Sequence, residues 1–193
     1  MQINKPENTL QNISVGSKEI NAARVAFFLP GFVISTWAPM IPMVKARLGL
    51  EADVLGLLLL CIGISAFIFM PLAGALVQRF GCKKVVITGS TLMALISVLL
   101  SCLPNIWSYA IALAFFGAVM GATDVSMNTN AVIVEKLAGR RLLSGMHAFW
   151  SIGCFASAGL FSVLASSVLD VTLIATLHCA IVLALLAFFG RHL

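Results

Sequence analysis

Six stretches of this chain are continuously apolar for close to twenty residues or more, and polar or charged residues are concentrated in the short joints between them. The stretches cover about 22–44, 54–77, 85–103, 106–134, 142–166 and 171–190. At about 1.5 Å per residue, each is long enough as a helix to cross a hydrocarbon core of about 30 Å. The apolar runs do not alternate with period two, so a transmembrane barrel is not indicated and each backbone must satisfy itself as a helix. The pattern predicts an all-α membrane protein with six transmembrane helices. The fourth stretch exceeds what a crossing needs, so its last turns are expected to protrude. One joint is little more than Pro104-Asn105. Connections this short make successive helices antiparallel neighbours and leave no room for an extramembrane catalytic domain.

Composition agrees with that pattern. Apolar residues make up 61% of the chain and charged residues only 10%, well outside the range of a soluble domain. Lys and Arg then supply an orientation. With the N-terminus cytoplasmic, the inner side collects Lys5, Lys18, Arg24, Arg79, Lys83, Lys84, Lys136, Arg140, Arg141 and Arg191, whereas the outer side holds Lys45 and Arg47, offset by Glu51 and Asp53. This is a strong positive-inside bias. The net charge of +5 therefore reports topology and the anionic surface of a bilayer, not nucleic-acid binding. The expected organisation is a cytoplasmic N-terminal tail at 1–20 and a helical bundle at 21–193. Both termini are expected to be cytoplasmic, in a multi-pass protein of the cell inner (plasma) membrane. The first apolar stretch is too long for a signal-peptide core and lacks a small-residue cleavage site, so it is expected to be retained.

Enzymatic chemistry finds little support. Cys61, Cys82, Cys102, Cys154 and Cys179 are an odd number without a C-x-x-C pair, which argues against a disulfide frame or a metal site. His147, His178 and His192 are far apart, and no zinc-protease, nucleophile-elbow or Walker motif occurs. No enzyme activity, metal or other cofactor is expected.

The joint between the second and third stretches reads Gly74-x-x-x-Gln78-Arg79-x-Gly81-Cys82-Lys83-Lys84. It resembles the loop signature of the major facilitator superfamily, G-x-x-x-D-R-x-G-R-[KR]-[KR]. It departs from that signature at Gln78, where the family has aspartate, and at Cys82, where arginine is frequent. In the fourth stretch the arginine that can pair with the loop aspartate is replaced by Leu113, so both partners of a charged latch are missing together. A lone charge at that depth would be costly, which makes the paired loss physically coherent. Further along stand Gly117-x-x-x-Gly121-x-x-Asp124-x-x-x-Asn128, Glu135, Arg140-Arg141 and His147-Ala-Phe-Trp-Ser-Ile-Gly153, with Phe27-Phe28-Leu-Pro-Gly31 and Ser35-Thr-Trp-Ala38 in the first stretch. Together these resemble the MosC/YbjJ-like branch of the superfamily, which is related to the fucose permeases. The resemblance runs over essentially the whole chain and matches the N-terminal six-helix half of a twelve-helix fold. It implies secondary active transport by alternating access. The fucose-permease relatives further imply proton-coupled symport of a sugar-like or other small polar solute. A half-cavity requires a second six-helix half, from a second polypeptide or a homodimer. The alternative is a truncated or split half without independent activity, acting only as a structural or assembly partner.

Asp124 is the acidic residue lying well inside a span, where a carboxylate costs about 2.5–3.5 kcal/mol on insertion scales. Asn128 lies one turn along on the same helical face. The fucose-permease pattern carries a carboxylate followed four residues later by asparagine in this helix, which implies proton handling at Asp124 and substrate handling at Asn128. The competing reading is a buried aspartate satisfied by Asn128 or Ser126. His147 enters the next helix from the same side and is a second proton-coupling candidate, either paired with Asp124 or bonded to a backbone carbonyl. Ser35, Thr36 and Trp37 are candidates for the substrate cavity, in a helix that Pro30, Pro39 and Pro42 are expected to kink. For Trp37 an interfacial or packing role is the commoner explanation, and the acid that the fucose-permease pattern places in this helix is absent. Gly117 and Gly121 form a small-residue face suited to close helix packing.

Overall fold

The computed structural model describes residues 16–167 and 169–193; residues 1–15 of the expected tail lie outside the described residues. Seven α-helices carry the described residues: α1 (Ser17–Trp37), α2 (Ile41–Leu48), α3 (Ala52–Phe80), α4 (Cys82–Cys102), α5 (Ile106–Ala138), α6 (Leu143–Ser166) and α7 (Val171–Phe189). No strand occurs among the described residues. Among the described residues, six helical segments are long and apolar enough to cross a membrane, the first being α1 and α2 taken together over Ser17–Leu48. The fold is all-α, a six-helix membrane bundle.

The first crossing is not one straight helix. α1 begins at Ser17, inside the stretch read as tail, and ends in a 3-10 turn at Ala38–Met40 before α2 continues to Leu48. Pro39 and Pro42 occupy early positions of the 3-10 turn and of α2, where a missing N–H costs little. α2 then places Arg47 against the end of α4, where its guanidinium donates to the carbonyls of Ser101 and Leu100. Those carbonyls have no intrahelical partner, and a cation there also meets the negative end of the α4 dipole.

The joints are equally well specified. Asn105 caps α5 by accepting from the Ser108 amide at 2.9 Å, and Asp170 caps α7 by accepting from the Thr172 amide at 2.8 Å. Gly81 alone separates α3 from α4, with φ at +82°, a value L side chains rarely adopt. Within the helices, hydroxyl groups return to their own turn: Thr91, Ser97, Thr123, Ser126 and Thr129 each donate to the carbonyl four residues back. A polar residue in a span is thereby satisfied without a partner helix.

Burial separates inner from outer helices. In α1, α4 and α5, 56% of the most apolar stretch is buried inside the protein, against 17% in α3 and α6. α1 sits at the centre, packed chiefly on α6 and also on α4, α5 and α7. α3 packs on α5, and α7 on α4. The larger hydrophobic cluster includes Phe32, Trp37, Met93, Leu113, Phe116 and Phe161. A second cluster, including Ile20, Phe27, Val86, Met127, Val134 and Met146, lies toward the end where α1 and α6 begin and α5 finishes.

Candidate functional site

α5 carries the candidate residues along one stripe. Gly117 and Gly121 lie against α3: a Cβ on Gly117 would fall on the Ile62 carbonyl and the Ser65 hydroxyl, and one on Gly121 would come within 2.7 Å of the Ala66 carbonyl. Asp124 and Asn128 continue the same helix toward its basic end, and both are half-buried. The Asn128 amide donates to the backbone carbonyl of Asp124 at 2.9 Å, not to its carboxylate. Ser126 is likewise committed, donating to the Ala122 carbonyl at 2.7 Å. Among the described residues, the one sealed side-chain oxygen or nitrogen without a partner is the Ser90 hydroxyl. The Asp124 carboxylate is therefore neither enclosed nor bonded within the bundle, and it opens onto the accessible side of α5.

The electrostatic neighbour of Asp124 is His147 on α6. The His147 ring is exposed and stands edge-on to Phe27 of α1, with centroids 5.0 Å apart. Two residues along α6, Phe149 carries the Arg24 guanidinium 5.5 Å above its ring. Asp124, His147 and Arg24 thus approach one end of the bundle from α5, α6 and α1. Arg24 entered the sequence reading only as a topological charge; its position four residues after Ile20, on the helix that meets His147, was the available signal.

The three candidates of the first crossing are placed differently from one another. Ser35 is half-buried. Thr36 is buried and faces α6, its hydroxyl donating to the Phe32 carbonyl and lying 2.8 Å from the Ser157 hydroxyl. Trp37 is buried too, its indole N–H donating to the Tyr109 hydroxyl at 3.0 Å and its ring 6.4 Å from Phe116. Thr36 and Trp37 therefore tie α1 to α6 and α5 within the bundle.

Beside Thr36 is a group that sequence reasoning passed over. His178 of α7 is buried, with ring nitrogens 2.9 and 3.2 Å from the carbonyls of Ile174 and Ser157 and with Phe32 and Phe161 alongside. A histidine in the middle of an apolar run was the signal, since intramembrane polar side chains usually face partners. Thr36, Ser157 and His178 form one polar knot joining α1, α6 and α7. No group of three His, Cys, Asp or Glu side chains among the described residues is arranged to hold a metal ion.

The loop motif forms the opposite corner of the same membrane face. Gly74, Gln78 and Arg79 are exposed, and the Arg79 guanidinium lies 5.3 Å above the Phe80 ring. Gly81 makes the turn, and Lys83 donates to the Arg191 carbonyl at 2.8 Å, tying the start of α4 to the end of α7. Lys84 is exposed at the first turn of α4. Leu113, where a charged latch would need arginine, is fully buried among apolar side chains. At the joint between α5 and α6, Glu135 accepts from the amides of Leu142 and Leu143 at 2.6 and 2.8 Å, capping the start of α6.

Comparison with known proteins places this architecture. An uncharacterized MFS-type transporter of Yersinia pestis is 44% identical over 149 residues, which cover 77% of this chain and 39% of that protein. Membrane protein MosC of Rhizobium meliloti is 31% identical over 167 residues, 82% of this chain and 41% of its own length. An uncharacterized transporter of Sinorhizobium fredii is 35% identical over 132 residues, 68% of this chain and 35% of that protein. The chain thus spans about two fifths of the length of the curated relatives it matches. No solved structure matches it. The family model described as Major Facilitator Superfamily matches residues 25–192, and with six membrane-crossing helices in that range the chain belongs to the major facilitator superfamily.

Proposed function

We propose that the chain is the N-terminal six-helix half of a secondary active transporter for a small polar solute, coupled to a proton gradient and working by alternating access. Asp124 is the protonatable group, His147 its neighbour at the inner gate, and Asn128 and Ser35 line the half-cavity, with Thr36 and Trp37 holding the shape of its wall. Both termini of this half are cytoplasmic, in the inner (plasma) membrane, and a second six-helix half completes the cavity. The observation that carries this reading is the Asp124 carboxylate: an acid inside a span, not bonded by Asn128 or Ser126, opposite a histidine on the next helix. Intramembrane acids in such positions typically serve proton or ion pathways. Gln78 and Leu113 support a gate that closes without a charged latch.

The test uses proteoliposomes loaded with a pH-sensitive dye and challenged with a panel of monosaccharides, polyols and amino acids. The expected result is solute-triggered proton entry that Asp124→Asn abolishes while helical content and membrane insertion stay unchanged. Full proton flux in Asp124→Asn would remove Asp124 as the carrier.

A further inference from the structure

α3 and α4 are joined by Gly81 alone, yet they touch little along their length, and the wedge between them is floored by α5. It holds a groove of about 380 Å³. Its walls are Leu76 and Phe80 of α3, Val85 and Leu92 of α4, and Val119 and Ala122 of α5. The floor is low because Gly89 lets Thr123 of α5 come up against the α4 backbone, and the Thr123 hydroxyl is already committed to the Val119 carbonyl. The groove therefore offers a polar solute almost nothing to bond.

From Lys84 to Leu92 the groove descends about 12 Å at 1.5 Å per residue, against about 15 Å for half of a 30 Å hydrocarbon core. It thus has the depth of one leaflet, and it opens at the basic end. Lys84 lines that mouth, and Arg79 stands on Phe80, one of the walls. Lys83 is adjacent. No acid lies between Gly74 and Cys102, because Gln78 stands where the loop signature has aspartate. The other acids on the surrounding helices are Asp53 at the far end of α3, Glu135, committed to the α6 amides, and Asp124, which neighbours His147 on α6.

We propose that this groove is a binding site for an anionic phospholipid of the leaflet at the basic end, with an acyl chain between α3 and α4 and the phosphate held by Arg79 and Lys84. Basic pockets between membrane helices recognise such headgroups through charge, while the apolar wall holds the chain.

The experiment reconstitutes the full chain in phosphatidylcholine vesicles containing spin-labelled phosphatidylglycerol or spin-labelled phosphatidylcholine, and reads the motionally restricted lipid fraction by electron paramagnetic resonance. The wild type is expected to prefer phosphatidylglycerol several-fold. Arg79→Gln with Lys84→Gln brings that preference close to parity, whereas Lys136→Gln with Arg140→Gln, at the other basic joint, leaves it intact. Thr88→Trp, at an exposed position on the groove wall, lowers the restricted fraction of both lipids without changing charge. Circular dichroism confirms that each variant retains its helix content. The proposal is overturned if the preference survives Arg79→Gln/Lys84→Gln, if both double variants reduce it equally, or if excess inorganic phosphate abolishes it as fully as the double variant does. It is also overturned if Thr88→Trp turns a dimer into a monomer by light scattering, which would make the groove a seat for a second copy.

Discussion

The crossing of α1 with α6 and the crossing of α3 with α5 are two solutions to the same problem. In each, a peripheral helix meets a central one along a single stripe: Met146, Gly153, Ser157 and Phe161 on α6, and Leu58, Ile62, Ala66 and Ala73 on α3. They differ in which side is small. At α1·α6 the glycines are reciprocal, Gly31 lying under the Trp150 carbonyl and Gly153 under the Phe28 carbonyl and the Phe32 amide. At α3·α5 both glycines, Gly117 and Gly121, belong to α5. The α1·α6 crossing also has a polar clasp, Thr36 to Ser157, reinforced by His178. At α3·α5 the corresponding hydroxyl, Ser65, bonds back to Cys61 and Ile62 of its own helix. The first crossing is held by glycines on both helices and a polar clasp, and the second by the glycines of α5 alone.

The largest effect expected on this contrast comes from filling the glycines. Gly153→Ala and Gly31→Ala each push a Cβ into backbone atoms that cannot rotate away, with an expected loss of about 1–3 kcal/mol typical of overpacking. Gly121→Ala, which meets Ala66 at the looser distance of 2.7 Å, should lose less. Gly159→Ala, with nothing within 4 Å, should leave the unfolding midpoint unchanged or slightly raised. Denaturation in detergent followed by circular dichroism gives the order, and equal losses at Gly153 and Gly121 would erase the asymmetry.

A smaller effect concerns the clasp. A double-mutant cycle of Thr36→Val and Ser157→Ala should give a coupling of about 0.6–1.7 kcal/mol, the range measured for hydrogen bonds between membrane helices. Ser65→Ala should cost little, because its bonds stay within one turn. A null cycle at Thr36 and Ser157 would reduce both crossings to packing alone.

The smallest effect is at Ser90, whose hydroxyl is fully buried without a partner. Ser90→Ala should be neutral or stabilise by up to about 1 kcal/mol, since it removes an unsatisfied polar group at little cost in volume. Destabilisation there would mean that Ser90 belongs to a network shared with α1 or α7, and the two crossings would no longer be separable.

Much of the fold was legible in the chain because lipid imposes it. Continuous apolar runs must be helices, and the joints at Gly81, Pro104-Asn105 and Asp170 carry their own turn and cap chemistry. The four-residue spacings of Gly117 with Gly121 and of Asp124 with Asn128 were legible along the chain. The reciprocal pair Gly31 and Gly153 was visible as residues but not as a contact, since the helices they join are separated by more than a hundred residues. Thr36 and Trp37 show the same gap: their types suit a cavity wall or a packed seam, and their partners Ser157 and Tyr109 could not be read from the chain.

The sequence by itself determined six crossings, a basic end and an opposite end, uncharged residues at Gln78 and Leu113, and membership of a transporter superfamily. The tertiary structure decided which faces meet, that Asp124 lies opposite His147 with its carboxylate unbonded, and that α3 and α4 diverge enough to leave a groove. The division has a physical cause. A lipid tail and a protein interior are equally apolar, so hydropathy marks what enters the membrane but is silent on which side of each helix finds a neighbour.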